Sequence, residues 1–167
     1  DFFRFYCSMY LCNAQKPAST GGRDIRRIER LAEWEIREHE RKPIVSIVSF
    51  ELSPNHFHLL LQQTVKGGIS EYLHRLSMGY SRYFNTKHER VGTLYEGTFK
   101  AVPVDFEEHF YHLPRYIHLN ALDATDLDWR NGFITDWERA LRVLDDYEWS
   151  SHGIYMGRGQ ELPVVNE

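Results

Sequence analysis

Between Ile69 and Lys87 the apolar residues Ile69, Tyr72, Leu73, Leu76, Tyr80, Tyr83 and Phe84 recur at the spacing of one helical face, which predicts a long helix after Gly67-Gly68. The opposite face carries Arg75 and Arg82, seven residues apart. Upstream, Ile44 to Glu51 and His56 to Gln62 are runs rich in Val, Ile, Leu and Phe, separated by the turn residues Ser53-Pro54-Asn55; they predict an antiparallel hairpin. At the start of the chain Phe2, Phe5, Tyr6, Met9 and Tyr10 fit a helix, while Phe3, Phe5, Cys7, Met9 and Leu11 alternate as a strand would, and helix is the favoured reading.

The breaker run Lys16 to Gly22 precedes a charged helix expected from Asp24 to Lys42, with Ile25, Ile28, Leu31, Ala32 and Ile36 inward and Pro43 ending it. Thr98 to Val104 reads as a further strand, and Asp105 with Glu108 forms a capping-box pattern that opens another helix. The stripe Phe106, Phe110, Leu113 and Ile117 marks that helix's expected inward face, and the neighbouring face carries His109, His112, Tyr116 and Asn120. Pro114 either kinks this helix or begins a second one, because an interior proline costs about 3 kcal/mol.

These elements fit one α+β domain spanning residues 1–167, long enough to bury a core of its own. No apolar stretch approaches the ~20 residues of a bilayer helix, so no membrane partner is expected. Cys7 and Cys12 are too few for a disulfide framework and form no CxxC pair, which fits a reducing, cytoplasmic setting. A net charge of -4 excludes a bulk polycation that coats nucleic acid with its whole field, so any such contact needs a local patch.

That patch lies between residues 65 and 104, where Lys66, Arg75, Arg82, Lys87, Arg90 and Lys100 face only three acids and are interleaved with Tyr83, Tyr95 and Phe99. Cations with aromatics suit phosphate contact and base stacking on a single strand, with Arg75, Arg82, Arg90 and Lys100 as the candidate DNA-binding residues. Residues 121–148 carry eight acids against three bases and read as a solvated surface instead.

His56-Phe57-His58 places two imidazoles two residues apart in the second strand, where both leave the same face and can share a metal. With nine histidines in the chain, such a pair also arises by chance, so it gains weight only beside Tyr116 and Asn120, one helical turn apart. A phenol, an amide oxygen and two imidazoles supply a nucleophile and cation ligands for a phosphodiester transesterification. A tyrosine at that position serves equally well as an amphipathic ring at the edge of the core.

The stretches Ser53-Pro54-Asn55-His56-Phe57-His58-Leu59-Leu60-Leu61, Tyr80-Ser81-Arg82-Tyr83-Phe84-Asn85, Arg90 to Ala101, Arg115-Tyr116-Ile117-His118-Leu119-Asn120 and Trp149-Ser150-Ser151 together resemble the REP-associated tyrosine transposases, a branch of the HUH single-strand transposases related to the insertion-sequence-200 type. The likeness runs from about residue 43 to 157. It implies a ferredoxin-like antiparallel sheet with helices packed on one face. It further implies His56 and His58 as ligands of Mg²⁺ or Mn²⁺, Asn120 as the third ligand and Tyr116 as the nucleophile. The implied activity is metal-dependent cleavage and rejoining of single-stranded or hairpin DNA through a 5′-phosphotyrosine, with a homodimer left open.

Three features depart from that family pattern. Ala121 follows Asn120 where the family usually has proline, the link to Trp149 is longer, and the chain opens on Asp1 within the first helix, as a trimmed fragment would. A catalytically inactive descendant that binds structured DNA is the rival reading. A cupin-like metal enzyme also uses HxH on a strand, but no glutamate follows at the required spacing.

Overall fold

The computed structural model of the chain describes residues 1–16, 42–105, 107–160 and 162–165. In order these form α1 (Phe2–Cys12), β1 (Val45–Leu52), β2 (Phe57–Gln63), α2 (Gly68–Lys87), α3 (Glu107–Leu119), a 3₁₀ turn (Asn120–Ala124), α4 (Trp137–Asp146) and α5 (His152–Tyr155). The class is α+β, as the patterning predicts, with β1 and β2 paired in one sheet. The charged helix expected over 24–42 falls on residues 17–41, and the start of the Phe106 stripe on residue 106; both lie outside the described residues.

Backbone contacts gather the described residues into two compact units, one from within 1–46, 62–102 and 162–164, the other from within 47–61, 103–161 and 165–167. In the first, α1 is a helix, which settles the ambiguity of its apolar pattern, and it packs on α2. Met9, Leu11, Tyr72 and Leu76 are fully buried there. Burying Met9, Leu11 and Leu76 stabilises this unit by about 1.5–3 kcal/mol each. The Tyr72 hydroxyl donates to the Met9 carbonyl (3.3 Å), and the Phe5 and Tyr80 rings meet edge to face at 4.9 Å.

Asn13, at the end of α1, ties the helix to the start of β1. Its Oδ1 accepts from the Ile44 and Val45 N–H groups (3.1 and 3.0 Å), and its Nδ2 donates to the Val45 carbonyl (2.8 Å). Gly68 opens α2 against the same segment so closely that a Cβ there would sit 2.1 Å from the Ile44 carbonyl oxygen. Only glycine allows that approach.

The second unit is built around the hairpin end of the sheet. Ser53 N–H donates to the His56 carbonyl (2.9 Å), closing the turn over Pro54 and Asn55. On the other side of β1, Trp149 to Ser151 run antiparallel to it, with Leu52 N–H to the Trp149 carbonyl (2.9 Å) and Ser151 N–H to the Phe50 carbonyl (3.0 Å). The Ser151 hydroxyl accepts from Phe50 N–H (2.9 Å) and lies 2.7 Å from His118 Nε2, pinning this segment to α3. A small core of Ala121, Leu122, Ala140 and Leu144, flanked by Leu119, Leu127, Trp129, Ile134, Val143 and Tyr147, joins the 3₁₀ turn to α4. The Asp136 side chain caps α4 by accepting from Arg139 N–H (2.9 Å).

Two expectations are corrected. Thr98 to Val104 is not a strand: it is exposed chain, and no strand among the described residues supplies it with a ladder. Of the proposed inward stripe on α3, Ile117 is buried and Leu113 half-buried, but Phe110 is 41% exposed. The helix instead buries His118, which the stripe did not include, and it passes through Pro114 without ending.

Candidate active site

Side chains alternate along β1, so Val45, Ile47, Ser49 and Glu51 share one face, and Glu51 is a fully buried carboxylate at the end of a fully buried row. Counting two residues inward along each strand from the Ser53–His56 turn bond brings Glu51 across from His58. Glu51, His56 and His58 accordingly offer one ligand atom each within 4.8 Å of one another. The two imidazole rings lie edge to face with centroids 5.0 Å apart, on one face of the sheet as the HxH spacing requires. His56 itself sits one residue before β2 rather than inside it.

The hydrogen bonds of the cluster are incomplete in a particular way. Glu51 Oε1 accepts from the Ser53 hydroxyl (2.7 Å), but among the described residues its buried Oε2 has no partner, and neither has the buried Nε2 of His58. A buried polar atom without a partner is costly, commonly 1–3 kcal/mol. A cation bound between these atoms would remove that cost at both, so the residues fit a divalent metal by their chemistry as well as by their spacing. The Asn55 side-chain oxygen lies 2.7 Å from His56 Nδ1, which orients that ring and leaves its Nε2 as the nitrogen for a metal.

Burial pushes the Glu51 carboxyl up to about 7, with the Ser53 hydrogen bond opposing and the charge of Asp123 adding to the rise. Burial likewise lowers His58, helped by the neighbouring His56 and Arg130. The two shifts act differently on a cation: the lowered His58 stays neutral and able to ligate, whereas the raised Glu51 gives up its proton when it takes a metal, so binding there releases a proton.

Tyr116 and Asn120 sit one turn apart near the end of α3, and their surroundings come from the following segment. Tyr116 is 46% exposed, and its phenol oxygen accepts from Arg130 Nη1 (3.3 Å) while its ring meets Trp129 edge to face at 5.5 Å. Asn120 is buried. Its Nδ2 donates to the Tyr116 and Ile117 carbonyls (2.7 and 3.2 Å), and its Oδ1, the atom expected to hold the metal, accepts from Arg130 Nη2 (2.9 Å).

Asp123 anchors the group: it accepts from Arg130 Nε (3.1 Å) and Nη2 and from the Trp129 indole N–H (2.7 Å). Burial works to raise its carboxyl, but the bonds from Arg130 and Trp129 and the Arg130 charge outweigh it and hold the group below the ordinary range. Arg130 is raised in turn, first by its bond to Asp123. His56 and His58 both feel the charge of Asp123, which links the Tyr116 group electrostatically to the histidine cluster.

Sequence reasoning names His56, His58, Tyr116 and Asn120 but misses Glu51, Asn55, Asp123, Trp129 and Arg130. A carboxylate inside the run Val45 to Leu52 was a usable signal for Glu51. Nothing local marks Arg130 among eight acids. His112 is exposed, and the His109 side chain lies outside the described residues.

The candidate DNA-binding residues belong to the other unit. Arg82, Arg90 and Lys100 are exposed, with Arg90 lying 5.6 Å over the Phe84 ring. Arg75 is engaged, bonded to Glu71 (2.7 Å) and to the Ala14 carbonyl (2.6 Å). Of the interleaved aromatics Phe99 is exposed and Tyr95 half-buried. Tyr83 is a correction: it is buried and donates to Asp1 (3.1 Å), so it packs the core rather than presenting a stacking face.

The family model for IS200-like transposases matches residues 25–120, more than half of the chain, and its span holds the hairpin, α2 and the Tyr116 to Asn120 turn. The chain belongs to this transposase family. No curated protein and no solved structure matches it. Family membership makes DNA the partner and makes an enzyme of the transposase kind the expected class. In this transposase the match stops at Asn120, so Asp123, Trp129 and Arg130 lie just past it. Among the described residues no helix is long and apolar enough to cross a membrane.

Proposed function

We propose that this transposase cuts and rejoins single-stranded or hairpin DNA by transesterification, with Tyr116 as the nucleophile and a divalent cation held by His56, His58 and an oxygen ligand. The observation that carries the reading is the pair of buried, unpartnered atoms on Glu51 and His58 beside His56, in electrostatic reach of the group that holds the Tyr116 phenol. Glu51 is ready to serve as the oxygen ligand. The Asn120 oxygen, the other candidate, already accepts from Arg130 and has one lone pair left for a cation.

When bound, Mg²⁺ or Mn²⁺ withdraws negative charge from the scissile phosphate, and an imidazole-containing set favours Mn²⁺. The chain's own residues do the rest. Trp129 packs against the Tyr116 ring, Arg130 holds its oxygen, and α3 fixes both in register with Asn120. Attack on phosphorus leaves a 5′-phosphotyrosine and a free 3′-hydroxyl; because one ester replaces another, rejoining requires no ATP. Arg82, Arg90, Lys100 and, less freely, Arg75 supply cations for the DNA backbone, and a ferredoxin-like sheet and a homodimer in the cytoplasm complete the reading.

The test is incubation of the full chain with labelled single-stranded oligonucleotides carrying hairpins, with Mg²⁺ or Mn²⁺. A denaturant-resistant adduct mapped to Tyr116, absent in Tyr116→Phe, is the expected result. Hairpin binding with no adduct would instead identify a binding-only descendant.

A further inference from the structure

The residues around the Tyr116 hydroxyl that are not in α3 come from one short segment past the family match, and they are ordered among themselves. The Arg130 guanidinium is held at three points: Nε and Nη2 on the Asp123 carboxylate, Nη2 on Asn120 Oδ1, and the whole plane over the Trp129 ring at 4.5 Å. Trp129 is fixed in turn by its N–H on Asp123. These contacts leave Nη1 to face the Tyr116 oxygen, with a second Nη1 hydrogen that takes no acceptor among the described residues. The guanidinium is half-exposed, so a phosphate can reach it.

Resting on Tyr116 as the nucleophile, we propose that Arg130 is a catalytic residue of strand cleavage, holding the phenol oxygen through Nη1 and donating its second Nη1 hydrogen to the phosphate under attack. In that step the Tyr116 Oη–P bond forms and the P–O3′ bond breaks. The phenol proton passes to water, and the departing 3′ oxygen keeps the bonding pair and takes a proton from water. Negative charge gathers on the phosphate as the new bond forms, and a fixed cation already aimed at the attacking atom lowers the barrier without reorganising. A lysine would not reproduce this, since a single ammonium cannot grip Asp123 and Asn120 while also facing the phenol.

The experiment measures single-turnover adduct formation by the full chain on hairpin-bearing oligonucleotides with Mn²⁺, for wild type, Arg130→Ala, Arg130→Lys and Tyr116→Phe. Arg130→Ala should form adduct about 100-fold more slowly at saturating DNA, with half-saturation changed by less than about threefold, as expected for a donor that acts in the transition state. Added guanidinium should restore part of the rate to Arg130→Ala and none to Tyr116→Phe, and Arg130→Lys should fall between. A second readout needs neither metal nor DNA: the Cζ resonance of ¹³C-labelled Tyr116, assigned by its loss in Tyr116→Phe, should move in Arg130→Lys.

A wild type that forms no adduct at Tyr116 overturns the nucleophile reading and this assignment together. A normal wild-type adduct that Arg130→Ala forms equally fast or faster overturns the role of Arg130 alone and makes it a latch. A slow Arg130→Ala that guanidinium does not restore, with the Tyr116 resonance unmoved in Arg130→Lys, also overturns it and leaves Arg130 as a brace for Asp123.

Discussion

Glu51 and His58 face each other across the hairpin with ligand atoms within 4.8 Å, and each keeps a buried polar atom that no group among the described residues satisfies. Two such atoms opposite one another on paired strands are a cost without a cation and a binding site with one.

Mn²⁺ titrated calorimetrically into the full chain should therefore bind wild type and lose most of its affinity in His58→Ala and in Glu51→Gln. Asn55→Ala, which frees the His56 ring to turn, should weaken binding by about 10-fold or more, the usual effect of losing a partner behind a ligand. Unchanged affinity in Glu51→Gln combined with loss in Asn120→Ala would give the oxygen ligand to Asn120 instead.

Ser151→Ala should destabilise the fold by about 1–3 kcal/mol in urea melts, because it removes the buried hydroxyl that accepts from Phe50 N–H and meets the buried His118 ring. A loss under about 0.5 kcal/mol, the range of ordinary surface changes, would show that the bridge from Trp149–Ser151 to β1 does not depend on this hydroxyl.

His118 gives the stability a defined acid limb. Burial, assisted by the neighbouring His152, lowers its pKa from 6.5 to about 4, so the folded state keeps the ring neutral. Between these values the unfolded chain takes up a proton that the folded one refuses. This contribution is intact above pH 6.5 and is lost as pH falls toward 4. Glu51, raised from 4.5 to about 7, acts in the opposite sense over the same range, so the His118 contribution is read in its absence: denaturation midpoints of Glu51→Gln should fall as pH falls, and those of Glu51→Gln combined with His118→Gln should fall less steeply.

The exposed cations should dominate the salt dependence of single-strand binding. Neutralising Arg82, Arg90 or Lys100 should each flatten the slope of log K against log salt by about 0.7, the value for one phosphate contact on a single strand. Arg75→Gln should leave the slope nearly unchanged, because its guanidinium is already committed to Glu71 and Ala14. An equal effect at Arg75 would mean that DNA displaces those partners.

What the sequence by itself determined is whatever depends on the path of a few neighbouring residues. The period of two put His56 and His58 on one face, the period of 3.6 defined α2, and Ser53-Pro54-Asn55 located the turn between the strands. The four-residue spacing placed Asn120, at the start of the 3₁₀ turn, one turn after Tyr116 in the last turn of α3. Tertiary structure alone decided the rest. Phe110 matched an inward stripe by its spacing, yet it is 41% exposed, and Thr98 to Val104 had strand composition, yet no strand among the described residues pairs with it. Arg130 reaches Tyr116 across 14 residues of an acid-rich segment, and Ser151 reaches Phe50 across 101. No local periodicity encodes such contacts, because they form where separate segments meet and are selected by the burial and charge balance of the assembled fold. The place of Tyr116, the proposed nucleophile, on its helix was therefore legible from the residues around it, while the guanidinium that holds its oxygen became visible only when the chain was folded.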